Sequence, residues 1–251
     1  MALRIVPGVH RVPTAAWSCV YLIEDDGLVL VDSGFPWSPR HILDYACSIG
    51  RKQEDVTHIL TTHSHPDHTS GASRLARATG AAVVAHQDDT KLHPNGTASL
   101  NYLGIFGAVK TPIPFFQHTP VNLLVRDGQR LPLPVAIEAI HTPGHTPGST
   151  SYLLKDKGVL FTGDTLFSDG KRLSRSLPLP GTDRRRYRTS VERLASLDFD
   201  VLCGGHGAPL VGGASKAVRQ LVERSPDSPT WGDFLRTLPR RLLSGEPLRG
   251  G

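Results

Sequence analysis

Hydrophobic and polar residues along this chain fall into two similar blocks. The first reads Tyr21-Leu22-Ile23-Glu24-Asp25-Asp26-Gly27-Leu28-Val29-Leu30, and Tyr152-Leu153-Leu154-Lys155-Asp156-Lys157-Gly158-Val159-Leu160-Phe161 overlays on it without a gap. Each block is an apolar run, a turn with an acidic residue and glycine, and a second apolar run, the pattern of a β-hairpin. Each second strand ends at an acidic residue, Asp32 in one block and Asp164 in the other. A helical stretch follows in both, over about residues 39–50 and 183–197, and then a short buried strand over residues 56–60 and 200–203. The strands lead into His63 and His206. Hairpin, helix and strand thus occur twice in order, which predicts a duplicated α/β fold. Its site would be assembled where strand ends of the two halves meet, with ligands on loops and rigid sheets behind them.

Two segments break the repeat. Residues 94–120 are rich in proline, glycine and aromatics with weak periodicity, and residues 167–181 form a second irregular stretch. Loops of this length in a compact domain serve as lids or surface excursions. The segment over about residues 213–245 reads as a helical extension, with helices over 215–223 and 231–243 joined across Pro226 and Pro229. The whole chain, residues 1–251, is read as a single domain.

Composition narrows the class without choosing the chemistry. The chain has 251 residues, 39% hydrophobic and 20% charged, which suits a globular protein with a large core. Its formal charge of +5 is spread out. Arg184-Arg185-Arg186 and Arg240-Arg241 lack interleaved aromatics, so they read as solvated helix surface and not as a nucleic-acid footprint. Cys19, Cys47 and Cys203 are odd in number and widely spaced, the usage of a reducing compartment. The apolar run Leu28-Val29-Leu30-Val31 is too short for a signal-peptide core or a membrane span. A cytoplasmic protein is expected, with a small-molecule substrate as partner, no nucleic acid and no membrane, as a monomer or a homodimer. Asn95-Gly96-Thr97 reads as a turn.

Seven residues carry the candidate chemistry. His63-Ser64-His65-Pro66-Asp67-His68 places four metal-type ligands in six positions; His145 follows in Thr142-Pro143-Gly144-His145, Asp164 in Thr162-Gly163-Asp164-Thr165, and His206 in Gly204-Gly205-His206-Gly207. Imidazole and carboxylate are the donors that divalent zinc, iron and manganese accept. His63 and His65, two apart, point to the same side of extended backbone. Pro66 suits the first turn of a helix, which sets Asp67 and His68 near its N-terminus. The four therefore fan out from one strand–turn–helix junction and cannot all reach one ion. Seven ligands also exceed the roughly four that a tetrahedral zinc takes, so two ions are expected. No G-x-S-x-G elbow appears and no cysteine stands beside a histidine with an orienting partner, which argues against a serine or thiol nucleophile. His141 reads as a structural histidine near the site, and His10, His41, His58, His86, His93 and His118 are given no role.

The His-x-His-x-Asp-His run, His145, Asp164, His206 and the Asp32-Ser33-Gly34 turn together resemble the metallo-β-lactamase superfamily over about residues 17–210. The resemblance implies a four-layer αβ/βα sandwich, two mixed β-sheets face to face with helices outside, and a site at one edge of both sheets. It implies a first metal site of His63, His65 and His145, a second of Asp67, His68 and His206, and Asp164 bridging two divalent ions, zinc first with iron or manganese as alternatives. Asp67 and Asp164 are then the residues expected to act in catalysis. Asp32 would stand behind the ligands, while the residues alone allow an Asx-turn closing a buried strand. The chemistry implied is attack by a hydroxide shared between two ions about 3.5–4 Å apart, available near neutral pH.

Within the superfamily, class B1 β-lactamases use a cysteine where Asp164 stands, class B3 enzymes lack the bridging aspartate, and flavodiiron proteins replace the histidine at His65 by glutamate. The RNA-processing branches carry a large added domain or arm. Glyoxalase II shares Gly163-Asp164-Thr165-Leu166-Phe167, though the stretch after His206 is short for its helical tail. Acyl-homoserine-lactone lactonases share the His-Thr-Pro-Gly-His-Thr-Pro-Gly stretch but place a tyrosine where this chain has Phe167. Persulfide dioxygenases hold one iron through residues matching His63, His145 and Asp164. The expected function is a binuclear metal-dependent hydrolase of an ester, lactone or thioester. The alternatives are a mononuclear iron persulfide-dioxygenase-like oxidoreductase and a non-catalytic or regulatory metal-binding member. Phe106, Phe115 and Phe116 predict an apolar acyl or ring portion in the substrate, with Phe167 beside them. Arg172, with Lys171 and Arg175, would meet an anionic group or lie on plain surface.

Overall fold

The structure, a computed structural model, describes residues 3–14, 18–101, 118–133, 135–176, 179 and 181–224. The first half builds a seven-stranded sheet. Strands β1 (Leu3–Val6), β2 (Val9–Val12), β3 (Val20–Glu24) and β4 (Leu28–Val31) form an antiparallel meander, and β5 (Val56–Leu60) and β6 (Ala82–His86) extend it in parallel. Helix α1 (Ser38–Ser48) joins β4 to β5, while α2 (Pro66–Thr69) and α3 (Ala72–Thr79) join β5 to β6. Strands β7 (Thr90–Leu92), β8 (Ala98–Leu100) and β9 (Pro120–Val121) make a small separate sheet, and β10 (Leu123–Val125) closes the first one beside β6.

The second half repeats this order. Strands β11 (Gln129–Arg130), β12 (Ile137–His141), β13 (Thr150–Leu154) and β14 (Val159–Gly163) form the meander. A short hairpin, β15 (Leu166–Asp169) with β16 (Leu173–Arg175), comes next, then helix α4 (Arg184–Ala195) and β17 (Val201–Gly204), parallel to β14. Strand β18 (Gly207–Ala208) joins the β15 hairpin, β19 (Leu210–Val211) closes the second sheet, and α5 (Ala214–Arg224) follows. Helices α1 and α4 match the predicted stretches. Asp183 caps α4, its carboxylate accepting from the amides of Arg185 and Arg186 at 3.1 and 3.0 Å.

Period-two geometry assigns the side chains to layers. Tyr21, Ile23, Val29 and Val31 face Tyr152, Leu154, Val159 and Phe161 in the core between the sheets. Their neighbours turn outward: Leu22, Leu28 and Leu30 pack under Ile42, Ala46 and Leu75 of α1 and α3, and Leu153, Leu160 and Leu202 pack under Tyr187, Val191 and Leu194 of α4. Strands covered on both faces need uninterrupted apolar runs, which is why β4 and β14 are buried along their whole length. The result is the expected four-layer αβ/βα sandwich. No helix among the described residues is long and apolar enough to cross a membrane.

The stretch over 167–181 departs from the irregular segment expected. It opens with β15 and β16, where Phe167 pairs with Ser174 and Ser168 is fully buried. A buried serine inside a three- or four-residue strand breaks the apolar pattern, so the hairpin left no periodic signal. The proposed helix over 231–243 and the aromatic residues Phe106, Phe115 and Phe116 lie outside the described residues.

Candidate metal centre

Equivalent hydrogen bonds join the two halves at the edge where β5 and β17 end. Tyr21 donates its hydroxyl to Gly204 O at 2.6 Å, and Tyr152, its counterpart in the overlay, donates to Thr61 O at 2.9 Å. Cys19 N donates to Gly205 O at 2.7 Å and Thr150 N to Thr62 O at 2.8 Å. Each hairpin therefore grips the other half's strand end, one residue and two residues before a histidine. His63 and His206 are equivalent positions of the repeat, delivered from opposite sides to one place.

The backbone conformation past each hairpin refines that equivalence. Asp32 is left-handed at φ 62, and the residue sharing this conformation in the second half is Gly163 at φ 49, with Asp164 one step further on. That single step separates two carboxylates by role. Asp32 lies behind the histidines, accepting from Thr62 N, Thr62 Oγ1 and His68 Nδ1, each at 2.8 Å. Its bonds run to β5 and α2 and build no Asx-turn. Asp164 stands in front. Its Oδ2 lies 3.4 Å from His145 Nε2, 3.4 Å from His206 Nε2 and 3.9 Å from His63 Nε2, and its Oδ1 lies 3.3 Å from His68 Nε2.

All seven predicted residues come together, in two groups. His63, His65, His145 and Asp164 form one, with ligand atoms within 4.8 Å of each other, and Asp67, His68 and His206 form the other. His63 and His65 share a side as expected, with ring centroids 4.7 Å apart. His65 is the extended residue before α2, and Pro66 opens that helix. Asp67 Oδ2 is 3.3 Å from His68 Nε2 and 3.5 Å from His206 Nε2. No side chain fits at Gly205, where a Cβ would run into Asp164 Oδ1 and the His68 ring.

Hydrogen bonds at the outer edge of the rings assign their protons. Thr62 Oγ1 donates to Asp32, so its oxygen accepts from His63 Nδ1 at 3.0 Å. His68 Nδ1 donates to Asp32, and His145 Nδ1 lies 3.2 Å from Ser176 Oγ. With Nδ1 engaged at the outer edge, the Nε2 atoms of His63, His68 and His145 turn inward. His65 Nδ1 faces His145 Nε2 at 3.0 Å, an arrangement that needs a proton or a cation between the two. Burial pushes His63 well below the usual imidazole range, His65 below it, and His145 down to about 3. His65 and His145 are therefore held neutral, and the pair takes either the single proton of a neutral imidazole or a cation in its place. His63 Nε2 and Asp164 Oδ1 are buried without a hydrogen-bond partner. An inward ring of imidazole nitrogens with His63 Nε2 and Asp164 Oδ1 left without partners is a donor set that fits divalent metal ions.

The second group has a stronger anionic field. Burial lowers His68, but Asp67, Asp164 and Asp32 outweigh it and hold the ring well above its usual range. His206 is raised in the same way, chiefly by Asp164 against burial. Burial would raise Asp164, but His206, His68 and His63 keep it well below the carboxylate range.

One structural residue was not singled out from sequence. Asp89, buried in the turn Gln87–Asp89, accepts from Ser64 N at 2.8 Å, Thr146 Oγ1 at 2.8 Å and Gly148 N at 2.7 Å. It fastens the His63–His65 loop to the His145 loop. Nothing in the local sequence distinguishes it from its exposed neighbour Asp88. Phe167 is buried with its ring 5.1 Å from that of His206, edge to face. Arg172 is exposed in the turn between β15 and β16, where its amide donates to Asp169 Oδ1 at 2.7 Å and its carbonyl accepts from Asp169 N at 3.2 Å. Arg175 is buried beside Tyr187, and the Tyr187 hydroxyl is committed to Thr165 O and Ser176 N.

Residues 18–206 match the family model of the metallo-β-lactamase superfamily. A probable metallo-hydrolase of Bacillus subtilis is 31% identical over 189 residues, which cover 74% of this chain and 83% of that protein. A hydroxyacylglutathione hydrolase of Rhodospirillum rubrum is 28% identical over 166 residues, covering 64% of this chain and 53% of that enzyme. The crystal structure of a metallo-β-lactamase family protein of Thermus thermophilus superposes with a TM-score of 0.67 over 87% of this chain and 79% of that one, at 21% identity, a likeness of fold.

Proposed function

Because the chain belongs to the metallo-β-lactamase superfamily, we propose that it is a binuclear metal-dependent hydrolase of a carboxylic ester, lactone or thioester. One observation carries the reading: the Asp164 carboxylate lies between both ligand groups, one oxygen 3.4 Å from His145 and the other 3.3 Å from His68. His63, His65 and His145 would hold one ion, Asp67, His68 and His206 the other, and Asp164 both. When bound, such a pair supplies Lewis acidity and a water acidic enough to ionise near neutral pH. Zinc suits this imidazole-rich donor set, with iron and manganese also compatible.

The protein's own residues do the rest. The outer hydrogen bonds to Thr62, Asp32 and Ser176 keep the Nε2 atoms of His63, His68 and His145 aimed inward. Asp67 is the more exposed carboxylate of the two, at 18% against 8% for Asp164, and His68 keeps it ionised against the effect of burial. In this reading it would take a proton from the attacking water and return it to the leaving group. Phe167 supplies an apolar wall under His206, which favours an acyl or ring portion in the substrate. The similarity to a hydroxyacylglutathione hydrolase supports a thioester among the candidates.

The test is a metal count per chain followed by a panel of lactones, thioesters and phosphoesters. Two ions and turnover of an acyl substrate are expected. Asp164→Ala should lose both metal retention and hydrolysis, and full activity in that variant would sink the bridging assignment. One iron per chain with oxygen-dependent turnover would replace the hydrolase reading by the dioxygenase one. Metal binding without turnover of any acyl substrate would mark a non-catalytic member.

A further inference from the structure

We propose that Tyr187 of α4 is a positioning residue for the first ligand group: through Ser176 it sets the ring of His145, and through Thr165 it closes the turn that carries Asp164. The inference rests on the reading that this group holds an ion, and it is independent of which reaction the ion serves.

The tyrosine hydroxyl donates to Thr165 O and accepts from Ser176 N at 2.8 Å. Burial pushes Tyr187 above the usual phenol range, so the hydroxyl keeps its proton and makes both bonds. Ser176 stands one residue past the last ladder pair of β15 and β16, Leu166 with Arg175, where the hairpin no longer sets the backbone. Its Oγ lies 3.2 Å from His145 Nδ1. An outer hydrogen bond of this kind fixes the orientation of a metal-binding imidazole. Thr165 follows Asp164 directly, and its amide closes the turn on Thr162 O at 3.1 Å. One hydroxyl therefore ties the turn of one ligand to the outer partner of another.

The support is rigid. Tyr187 is buried in the cluster of Leu160, Val191 and Leu194 between α4 and the second sheet. The same stretch of α4 holds the loop that leads to His145. Asp183 N donates to Gly144 O at 2.8 Å, and Ser190 Oγ donates to Pro143 O at 2.7 Å. Gly144, at φ 133, comes so close that a Cβ there would run into the Tyr187 backbone. Helix α4 is thus a common frame for both sides of the ring, the loop that carries His145 and the serine that faces it.

Cobalt affinity, measured by competition with a chromophoric chelator and followed in the visible spectrum of the bound ion, tests the relay. Wild type, Tyr187→Phe, Ser176→Ala and the double variant are compared. Each single variant should weaken at least one ion by about 10–100-fold and change its spectrum. Because Tyr187 acts on His145 through Ser176, the double variant should be hardly weaker than Tyr187→Phe. Losses that multiply in the double variant, or unchanged affinity in either single one, would overturn the proposal. A tyrosine that only supports the fold would lower the melting temperature of the metal-free protein and leave the affinity where it was. Should Tyr187→Phe fold poorly, Ser176→Ala still decides, since unchanged affinity there breaks the relay at its other end. A wild type that binds no ion would sink the metal reading, a failure visible before any variant is compared.

Discussion

Asp32 does two jobs with one side chain. It holds a left-handed turn at φ 62, a conformation that aspartate tolerates better than most residues, and its carboxylate steers both Thr62 and His68. Asp32→Asn keeps the turn but loses the charge behind His68. It is expected to weaken metal binding at the second group by about 10–100-fold, measured by competition with a chromophoric chelator. Unchanged affinity would show that α2 alone orients the ring. The reciprocal tyrosines offer a matched pair. Tyr21→Phe and Tyr152→Phe each strip the donor from a buried carbonyl, Gly204 O or Thr61 O. Each should cost about 1–3 kcal/mol in urea unfolding. A large effect from one and none from the other would contradict the equivalence of the halves.

At the scale of elements, the ligands sit where regular structure stops. The turn Gln87–Asp89 matters most, because Asp89 binds loops from both halves through three hydrogen bonds. Asp89→Ala should lower the metal affinity of the first group more than that of the second, seen as one ion released earlier than the other on titration with a chelator. Simultaneous release of both would assign Asp89 to general stability. Hairpins and helices of this chain were legible because each repeats a simple period and carries turn or cap residues. The β15–β16 hairpin was hidden, since its buried Ser168 and Ser174 interrupt the apolar pattern that marks a strand.

Across the whole molecule, burial of histidines sets the acid limit of the metal-free protein. His63, His65, His145 and His86 all have folded values below the ordinary imidazole range. Below about pH 6.5 the unfolded chain binds more protons than the folded one at these positions, so stability falls as pH falls towards the folded values. The lowered carboxylates Asp67 and Asp164 act in the same direction at lower pH. His68 and His206 act oppositely: their raised values contribute stability below about pH 6.5 that is lost as pH rises through the folded values. Four lowered histidines against two raised ones predict a net fall in the melting temperature of chelator-treated protein between pH 7 and about 4, with the two carboxylates adding to it only below that interval. A melting temperature that rises over that interval would contradict the neutral assignment of the buried rings.

Period and motif spacing were enough to determine the repeat, the strands around it and the seven ligand candidates, because each rests on residues a few positions apart, whereas the four-layer sandwich was implied by the resemblance to the superfamily. What the sequence left open depends on which distant segments touch. The tertiary structure supplies the physical reason, a one-residue step past the hairpin, for what the resemblance implied of Asp32 behind His68 and Asp164 between the ligand groups. It alone shows the role of Asp89 and the approach of His86 to His141, 55 positions apart in the chain and 3.8 Å apart in space. Local sequence encodes which side chains can bind a metal, whereas packing decides which donor atoms converge.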